Sequence, residues 1–168
     1  MPYPQKFQGI SIVDLNDWNH PELVIYDTKS FADNDLNGKI EACGVCGWDI
    51  HCASGGWPQI IGRVVRVSPA CETDVKLGDC IGIGAHVFSC GKCSHYEHDN
   101  VPYYEEFILT YNQTYPDRYL SQGGYASQIR VHEQFAIPIP KYIPTPLNNP
   151  SYLAAPLLVV VSQVVLHY

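Results

Sequence analysis

The stretch that decides the interpretation of this chain is Ile40-Glu41-Ala42-Cys43-Gly44-Val45-Cys46-Gly47-Trp48-Asp49-Ile50-His51. Its beginning, over residues 39–43, has the composition of a short strand, and turn-forming residues precede it at 33–35 and 37–38. Thiol and imidazole groups, which are common metal ligands, follow directly. We therefore expect functional chemistry to begin just after this strand.

Working outward, the rest of the chain favours a mostly-β fold. Gly and Pro occur thirteen times each, and Val, Ile, Tyr and Thr are frequent, which favours short strands joined by turns. Residues 1–20 are polar with scattered apolar positions, and residues 90–120 are typical of a loop. The strands that the sequence predicts are 60–67, the segment 77–84 after its turn, 127–131 and 135–139. The segment 152–166 is compatible with either a helix or a strand.

Composition limits the classes of function. The 168 residues, 46% of them hydrophobic, suffice for one compact domain. The net charge of −7 and the scattered basic residues argue against nucleic-acid binding. The N-terminal residues lack the apolar core of a signal peptide, so we expect reduced cysteines and a cytoplasmic location. The apolar run 153–166 is too short to span a membrane, so no membrane partner is expected.

The stretch 40–51 resembles the catalytic-zinc segment of medium-chain zinc alcohol dehydrogenases, C-G-x-C-G-[ST]-D-x-H. Residues 79–93 resemble the segment that leads into the family's structural-zinc loop, and 121–126 resemble the S-x-G-G-Y-A block of the cinnamyl-alcohol-dehydrogenase type. The matches continue at 135–140 and 154–158. The resemblance implies a GroES-like β-barrel catalytic domain over 1–150, followed at 151–168 by the start of a linker helix. It also implies NADP-dependent, zinc-assisted hydride transfer between alcohols and aldehydes.

Several residues depart from the family's catalytic-zinc pattern. The resemblance implies three protein ligands, of which only Cys46 remains. The G-H-E block expected before Ile60 is missing, and Val159 stands where a later Cys is expected. Trp48 replaces the hydroxyl that begins the proton relay, although His51 at its far end is retained. We expect Cys46 and His51 to be packed remnants, rather than partners of replacement ligands drawn from the histidines at 20, 86 and 132.

The family's structural zinc is held by four cysteines spaced C-x2-C-x2-C-x7-C, and two of them are present here. Cys90 and Cys93 fill the first two positions, whereas tyrosines stand at 96 and 104. His95 and His98 lie beside the third position and could complete a Cys2His2 set with tight spacing. We expect weak zinc binding at 90–98 or a metal-free loop.

The nucleotide-binding unit of the family follows the segment that 154–158 resembles, and the sequence above contains no such unit. Gly82-Ile83-Gly84 has Val87 where a third glycine would be needed, so it favours a bent barrel strand. NADP is therefore not expected to bind here, and no Rossmann domain is expected.

Three functions are compatible with these residues. The favoured one is a truncated, catalytically inactive relative of an NADP-dependent alcohol dehydrogenase. The second is a non-catalytic module that associates with itself, with an intact dehydrogenase subunit or with another protein. The third is a small zinc-binding protein, which rests only on residues 90–98.

Overall fold

A computed structural model describes residues 3–44, 60–89, 91–98 and 106–140. Within these ranges the chain is built mainly from short antiparallel strands. The strands are β1 (Lys6–Ser11), β2 (Glu22–Asp27), β3 (Asp35–Cys43), β4 (Ile60–Val67), β5 (Cys80–Ile83), β6 (His86–Ser89), β7 (Phe107–Leu109), β8 (Tyr111–Thr114), β9 (Leu120–Gln122), β10 (Gln128–His132) and β11 (Ala136–Pro138).

Helical structure in the described ranges is confined to single turns. They are two 3-10 turns, Leu15–Asp17 and Glu133–Phe135, and the α-helix α1 (Ser94–Glu97). In this part of the chain, no helix reaches the length and apolarity that crossing a bilayer requires. The mostly-β prediction is confirmed.

A five-stranded antiparallel sheet with the order β10-β3-β4-β5-β11 forms the centre of the fold. Three two-stranded sheets surround it, formed by β1 with β2, β6 with β7 and β8 with β9. The long strands β3 and β4 pair from Leu36↔Val67 to Cys43↔Ile60, with register shifts between Asn37 and Gly38 and between Ile40 and Ala42. Such irregularities increase local twist and bend the sheet.

The larger part of the hydrophobic core lies on one side of this sheet, and a smaller cluster, formed by the fully buried Ile61 with Ala42, Cys80 and Ile139, is separate from it. Within a strand, the fully buried members of the larger cluster lie an even number of residues apart and so share one face. They are Leu36, Ile60, Val64, Ile81, Ile83, Val87 and Val131, each no more than 2% exposed. Burial of these branched side chains, at roughly 1.5–3 kcal/mol each, is the main stabilising contribution.

The turn predicted around Asn37-Gly38 is wrong, because β3 already begins at Asp35. Asn37 is fully buried, and its Oδ1 accepts a hydrogen bond of 2.9 Å from Arg130 Nε. Such tertiary contacts override a local turn preference. The Asn-Gly pair marks the register shift within the strand instead.

The loop predicted over residues 90–120 is also partly wrong, since β7, β8 and the start of β9 lie in it. These strands have only three or four residues each, too few to show a period-two pattern. Aromatic packing holds them: the Tyr115 ring lies 5.7 Å from the rings of Phe88 and Tyr119.

Candidate functional site

The stretch 40–51, here called the cysteine-rich stretch, begins in β3 and continues beyond the end of the central sheet at Cys43. Cys43, the last residue of β3, pairs with Ile60, the first residue of β4. The segment 44–59 therefore departs from and returns to the same place. Cys46, Trp48 and His51 fall in this segment and lie outside the described residues, so their predicted roles stay predictions.

Gly124, from the block at 121–126, packs directly on this end of the sheet. A Cβ atom at position 124 would lie 2.5 Å from Cys43 Sγ and 2.6 Å from Ile60 Cγ1. Only glycine permits this approach, because real Cβ contacts are essentially never shorter than 3.0 Å. Two of the sequence motifs thus meet in space, a contact that the sequence did not reveal.

An open groove of about 360 Å³ adjoins the same end of the sheet. Most of its lining is apolar, and its charged member, Glu41, is held by Arg63 at 2.9 Å. The apolar lining residues are Ile10, Leu23, Ile40, Ala42, Cys43, Tyr125 and Ala126. A groove of this kind suits the apolar part of a ligand or a peptide more than a charged group.

The loop expected to bind structural zinc is described only in part. Cys93, just before α1, is buried, whereas His98 is exposed and its Nδ1 lies 2.7 Å from the carbonyl oxygen of Ser94. Cys90 and the side chain of His95 lie outside the description. No three described His, Cys, Asp or Glu side chains are grouped to hold a metal ion. One thiol and one imidazole do not make a structural zinc site, so the Cys2His2 set stays a prediction.

The other histidines at described positions, His20, His86 and His132, already have partners in the protein. His20 Nδ1 lies 2.5 Å from Asp17 Oδ1, and the His86 ring lies 4.8 Å from the Phe107 ring. Burial lowers the pKa of His86 below 6.5, so this ring is neutral at pH 7. His132 uses Nδ1 to accept a 3.2 Å hydrogen bond from the Gln134 N–H.

Two of the described cysteines, Cys71 and Cys80, are free thiols of low reactivity. Cys71 and Cys80 are half-buried, and burial raises the pKa of both; at Cys80 the charge of Arg63 opposes this effect. A raised pKa leaves little thiolate, which is the nucleophilic form. These thiols are therefore poor candidates for covalent catalysis.

A buried ionic cluster behind β3 escaped sequence reasoning. Lys29 Nζ lies 2.7 Å from Asp35 Oδ2, with side-chain exposures of 9% and 1%. Arg130 reaches the same region from β10 and donates to Asn37 Oδ1 and to the backbone carbonyl of Lys29. In the sequence, Arg130 is one polar residue in an alternating strand, and nothing marks it as buried.

The sequence of this chain is similar to those of known alcohol dehydrogenases. The sequence model of the alcohol dehydrogenase GroES-like domain matches residues 32–141. A relative from Saccharomyces cerevisiae, NADP-dependent alcohol dehydrogenase 6, is 49% identical over 94% of this chain and 45% of its own length. Probable cinnamyl alcohol dehydrogenase 3 from Oryza sativa subsp. japonica is 29% identical over 87% of this chain and 42% of its own length. The chain thus spans a little under half the length of these relatives.

The fold of this chain is also similar to the folds of two solved structures. A cinnamyl alcohol dehydrogenase from Helicobacter pylori, complexed with NADP(H), superposes with a TM-score of 0.78 at 25% identity. That match covers 91% of this chain and 45% of the other. A cinnamyl alcohol dehydrogenase from Sorghum bicolor gives a TM-score of 0.75 at 23% identity, over 83% of this chain and 42% of the other, which is a likeness of fold alone.

Proposed function

Because this chain belongs to the alcohol dehydrogenase GroES-like domain family, we propose that it keeps the scaffold of an NADP-dependent alcohol dehydrogenase catalytic domain but has lost the zinc chemistry. This proposal rests on the loss of ligands at the end of the central sheet where β3 and β4 meet.

The observation that carries this proposal is the pairing of Cys43 with Ile60. In the family pattern, one ligand follows β3 and another directly precedes β4. Because Cys43 and Ile60 pair, β3 ends and β4 begins at the same end of the sheet. In the sequence, Cys46 stands at the first ligand position, whereas the chain passes directly from Pro58-Gln59 to Ile60 without the G-H-E block. Neither proline nor glutamine is a usual zinc ligand, so the donor set does not fit a catalytic zinc, which requires three protein ligands.

The family's proton relay has also lost a group in the stretch 40–51. Its first hydroxyl is replaced by Trp48, whose indole N–H can donate but cannot accept a proton. The third ligand position holds Val159, which has no donor atom. The substitutions therefore remove metal binding and proton transfer together, which supports loss of catalysis more strongly than a single change would.

The test is an assay of the purified full chain with NADPH and cinnamaldehyde, and with NADP and cinnamyl alcohol. We expect rates equal to background. Turnover that disappears in Cys46→Ser, but persists in the matched variant Cys71→Ser, would show a functional metal-dependent site and refute the proposal.

A second candidate function is favoured by one surface. Leu23 and Ile25 on β2 are 65% and 69% exposed, and Ile10 on β1 is 48% exposed. Large apolar side chains grouped in this way are typical of a protein-binding surface. This supports a non-catalytic module that associates with an intact dehydrogenase subunit or with a second copy of this chain.

Sedimentation of the chain, alone and mixed with the yeast relative, tests the second candidate. We expect a complex that is lost in the double variant Leu23→Glu with Ile25→Glu. Leu77→Glu is the matched control, because Leu77 is 68% exposed but belongs to the turn between β4 and β5 and not to β1 or β2. Sedimentation as a monomer in every mixture would exclude this function.

We also propose that the protein acts in the cytoplasm. Three cysteines at described positions, Cys71, Cys80 and Cys93, are free thiols, which a reducing compartment favours. Cell fractionation with an antibody against the chain tests this, and recovery in the secretory fraction would contradict it.

A further inference from the structure

The outer edge of β2 has no strand beside it in the described part of the chain. The hairpin of β1 and β2 is regular, with every residue paired and no register shift. On the β1 side, the hairpin is bonded to the rest of the fold, since Ile10 N donates to the Tyr125 carbonyl at 2.7 Å. The Gln8 carbonyl likewise accepts from Ser127 N at 2.8 Å. On the other side, β2 pairs only with β1 among the described sheets, so the hairpin ends in a free strand edge.

The hydrogen-bond pattern of the hairpin shows which backbone groups of β2 point outward. Thr28 N donates to the Gln5 carbonyl at 3.0 Å, so the residues of β2 that bond to β1 lie at even positions. The N–H and C=O groups of Leu23, Ile25 and Asp27 therefore point away from β1. None of the backbone hydrogen bonds between described residues involves these groups. They form a row of free donors and acceptors along the edge.

β2 also lacks the features that protect most strand edges. Such edges usually carry lysine, proline or a bulge, which discourage pairing with another chain. Between its acidic ends, Glu22 and Asp27, β2 has only Leu-Val-Ile-Tyr. Leu23 and Ile25 are 65% and 69% exposed. An exposed, regular and apolar edge of this kind is a template for an added strand.

The charges of β2 are compatible with a second copy of β2 as the added strand. Outward groups must face outward groups, so an antiparallel pair of two β2 strands can oppose only odd positions to odd positions. This excludes the register with Glu22 opposite Asp27, in which like charges would repel. A register centred on Ile25 places Leu23 opposite Asp27. It also places Glu22 opposite Thr28, so no two carboxylates are opposed.

The neighbouring register, centred on Val24, is less favourable. It places Pro21 opposite Asp27, and proline has no N–H to donate to the partner strand. The register centred on Ile25 instead uses every outward group from Leu23 to Asp27. It is therefore the register in which two copies of β2 form the most complete set of hydrogen bonds.

We propose that β2 of one copy pairs antiparallel with β2 of a second copy about Ile25, which joins the two hairpins into one continuous sheet. This inference rests on the second candidate function and specifies its partner and contact. A single strand pair is small beside the roughly 1,200–2,000 Å² that stable interfaces bury, so the pairing is weak by itself. It uses the edge of β2 and leaves the exposed face of Leu23 and Ile25 free for another apolar segment.

Disulfide trapping of the full chain, with oxidised glutathione as the oxidant, tests the contact directly. In a hydrogen-bonded antiparallel pair, opposed Cα atoms lie about 5.5 Å apart, which a disulfide can span. Ile25→Cys should form a linked dimer at least about tenfold faster than Leu77→Cys, because pairing raises the local concentration of the two thiols. Leu77→Cys is the matched control, since Leu77 is 68% exposed and lies outside the hairpin. Mass spectrometry of the linked peptides distinguishes this bond from those of the natural cysteines.

Two further variants test the register. Leu23→Cys and Asp27→Cys should link to each other when they are mixed, because these positions oppose each other across the pair. Neither should link to itself, since like positions would be roughly 14 Å apart. Equal rates for Ile25→Cys and Leu77→Cys, or self-linking of Leu23→Cys as fast as that of Ile25→Cys, would overturn the proposal.

Amide hydrogen exchange of the wild type separates edge pairing from association through the apolar face. As the protein concentration rises, exchange at Leu23, Ile25 and Asp27 should slow at least about threefold. Exchange at Val24 and Tyr26 should stay constant, because their N–H groups are already bonded to β1. Self-association without this alternation between odd and even positions would refute the edge pairing and leave the second candidate function standing.

Discussion

Gly124 shows at the level of a single residue how closely two motifs of the chain pack. It lies against Cys43 and Ile60, at the point where the cysteine-rich stretch leaves the sheet. We expect Gly124→Ala to destabilise the fold by about 1–3 kcal/mol, because the added methyl group overlaps a sulfur and a carbon atom at 2.5 and 2.6 Å. Chemical denaturation measures this change in the free energy of unfolding.

Gly38→Ala serves as the control for this substitution. A Cβ atom at Gly38 would lie 3.4 Å from Ile81 Cδ1 and 3.7 Å from Ile129 Cγ2, which are ordinary contact distances. This variant should therefore change stability much less than Gly124→Ala. Similar losses in the two variants would show that the close approach at Gly124 has no special importance.

Glu133 is the residue that should give the fold its dependence on acid. Its carboxylate accepts hydrogen bonds of 2.6 Å from Asn34 Nδ2 and from the Thr73 N–H. Burial acts to raise the pKa of Glu133, but these hydrogen bonds outweigh it and the pKa falls below 4.5. A carboxyl with a lower pKa in the folded state stabilises the fold above about pH 4.5, and this contribution is lost as the pH falls through the folded value.

We therefore expect Glu133→Gln to lower the free energy of unfolding by about 1 kcal/mol at pH 7 and by less at pH 3. Urea titrations at the two pH values measure the difference. The exposed Glu22 provides the control, and Glu22→Gln should have little effect at either pH. An equal loss at pH 7 and pH 3 would mean that the charge of Glu133 does not contribute.

At the scale of elements, the sequence predicted several strands of the central sheet, but it missed β1 and β2, which have six residues each, and the first half of β3. The segment 60–67 was predicted with its observed bounds, and β10 begins one residue after its predicted start. The short strands β7 to β9 were missed, because a strand of three or four residues carries no measurable alternation. Their pairing depends on aromatic contacts between distant segments, which a local pattern cannot reveal.

The candidate site was predictable in its chemistry but not in its geometry. The motif residues Cys43 and Gly124 were recognisable one by one, whereas their contact depends on how the strands pair. The buried position of Arg130 was not predictable either, since strands with one exposed face also contain arginine at alternate positions. Residue types thus indicate which side chains could take part in a site, and the tertiary structure determines which of these side chains contact one another.

The loop between β6 and β7 includes α1 and the two remaining cysteines of the structural-zinc pattern. Two cysteines of the family's structural-zinc pattern, Cys90 and Cys93, are present, and Tyr96 and Tyr104 stand at the other two positions. We expect Tyr96→Cys with Tyr104→Cys to bind one zinc ion tightly, because four thiolates complete a tetrahedral site. Competition with a chromogenic chelator measures the affinity.

Two controls distinguish a four-cysteine zinc site restored by these substitutions from a zinc site already present in the wild type. Adding Cys93→Ser to the double variant should abolish tight binding, since it removes one of the four thiolates. The wild type should lose zinc readily to the chelator. A wild type that resists the chelator, and weakens in His95→Ala with His98→Ala, would instead establish a Cys2His2 centre.

At the scale of the whole molecule, the uncharged apolar run at 153–166 should govern solution behaviour. An apolar segment of this length associates with other apolar surfaces unless it is buried, and the described fold offers exposed Leu23 and Ile25 as such a surface. We expect the full chain to self-associate and a form shortened after Pro150 to sediment as a monomer. The double variant Leu23→Glu with Ile25→Glu should behave like the shortened form if this surface is the contact. Equal, monomeric sedimentation of the full and shortened chains would mean that residues 153–166 are packed within the same molecule.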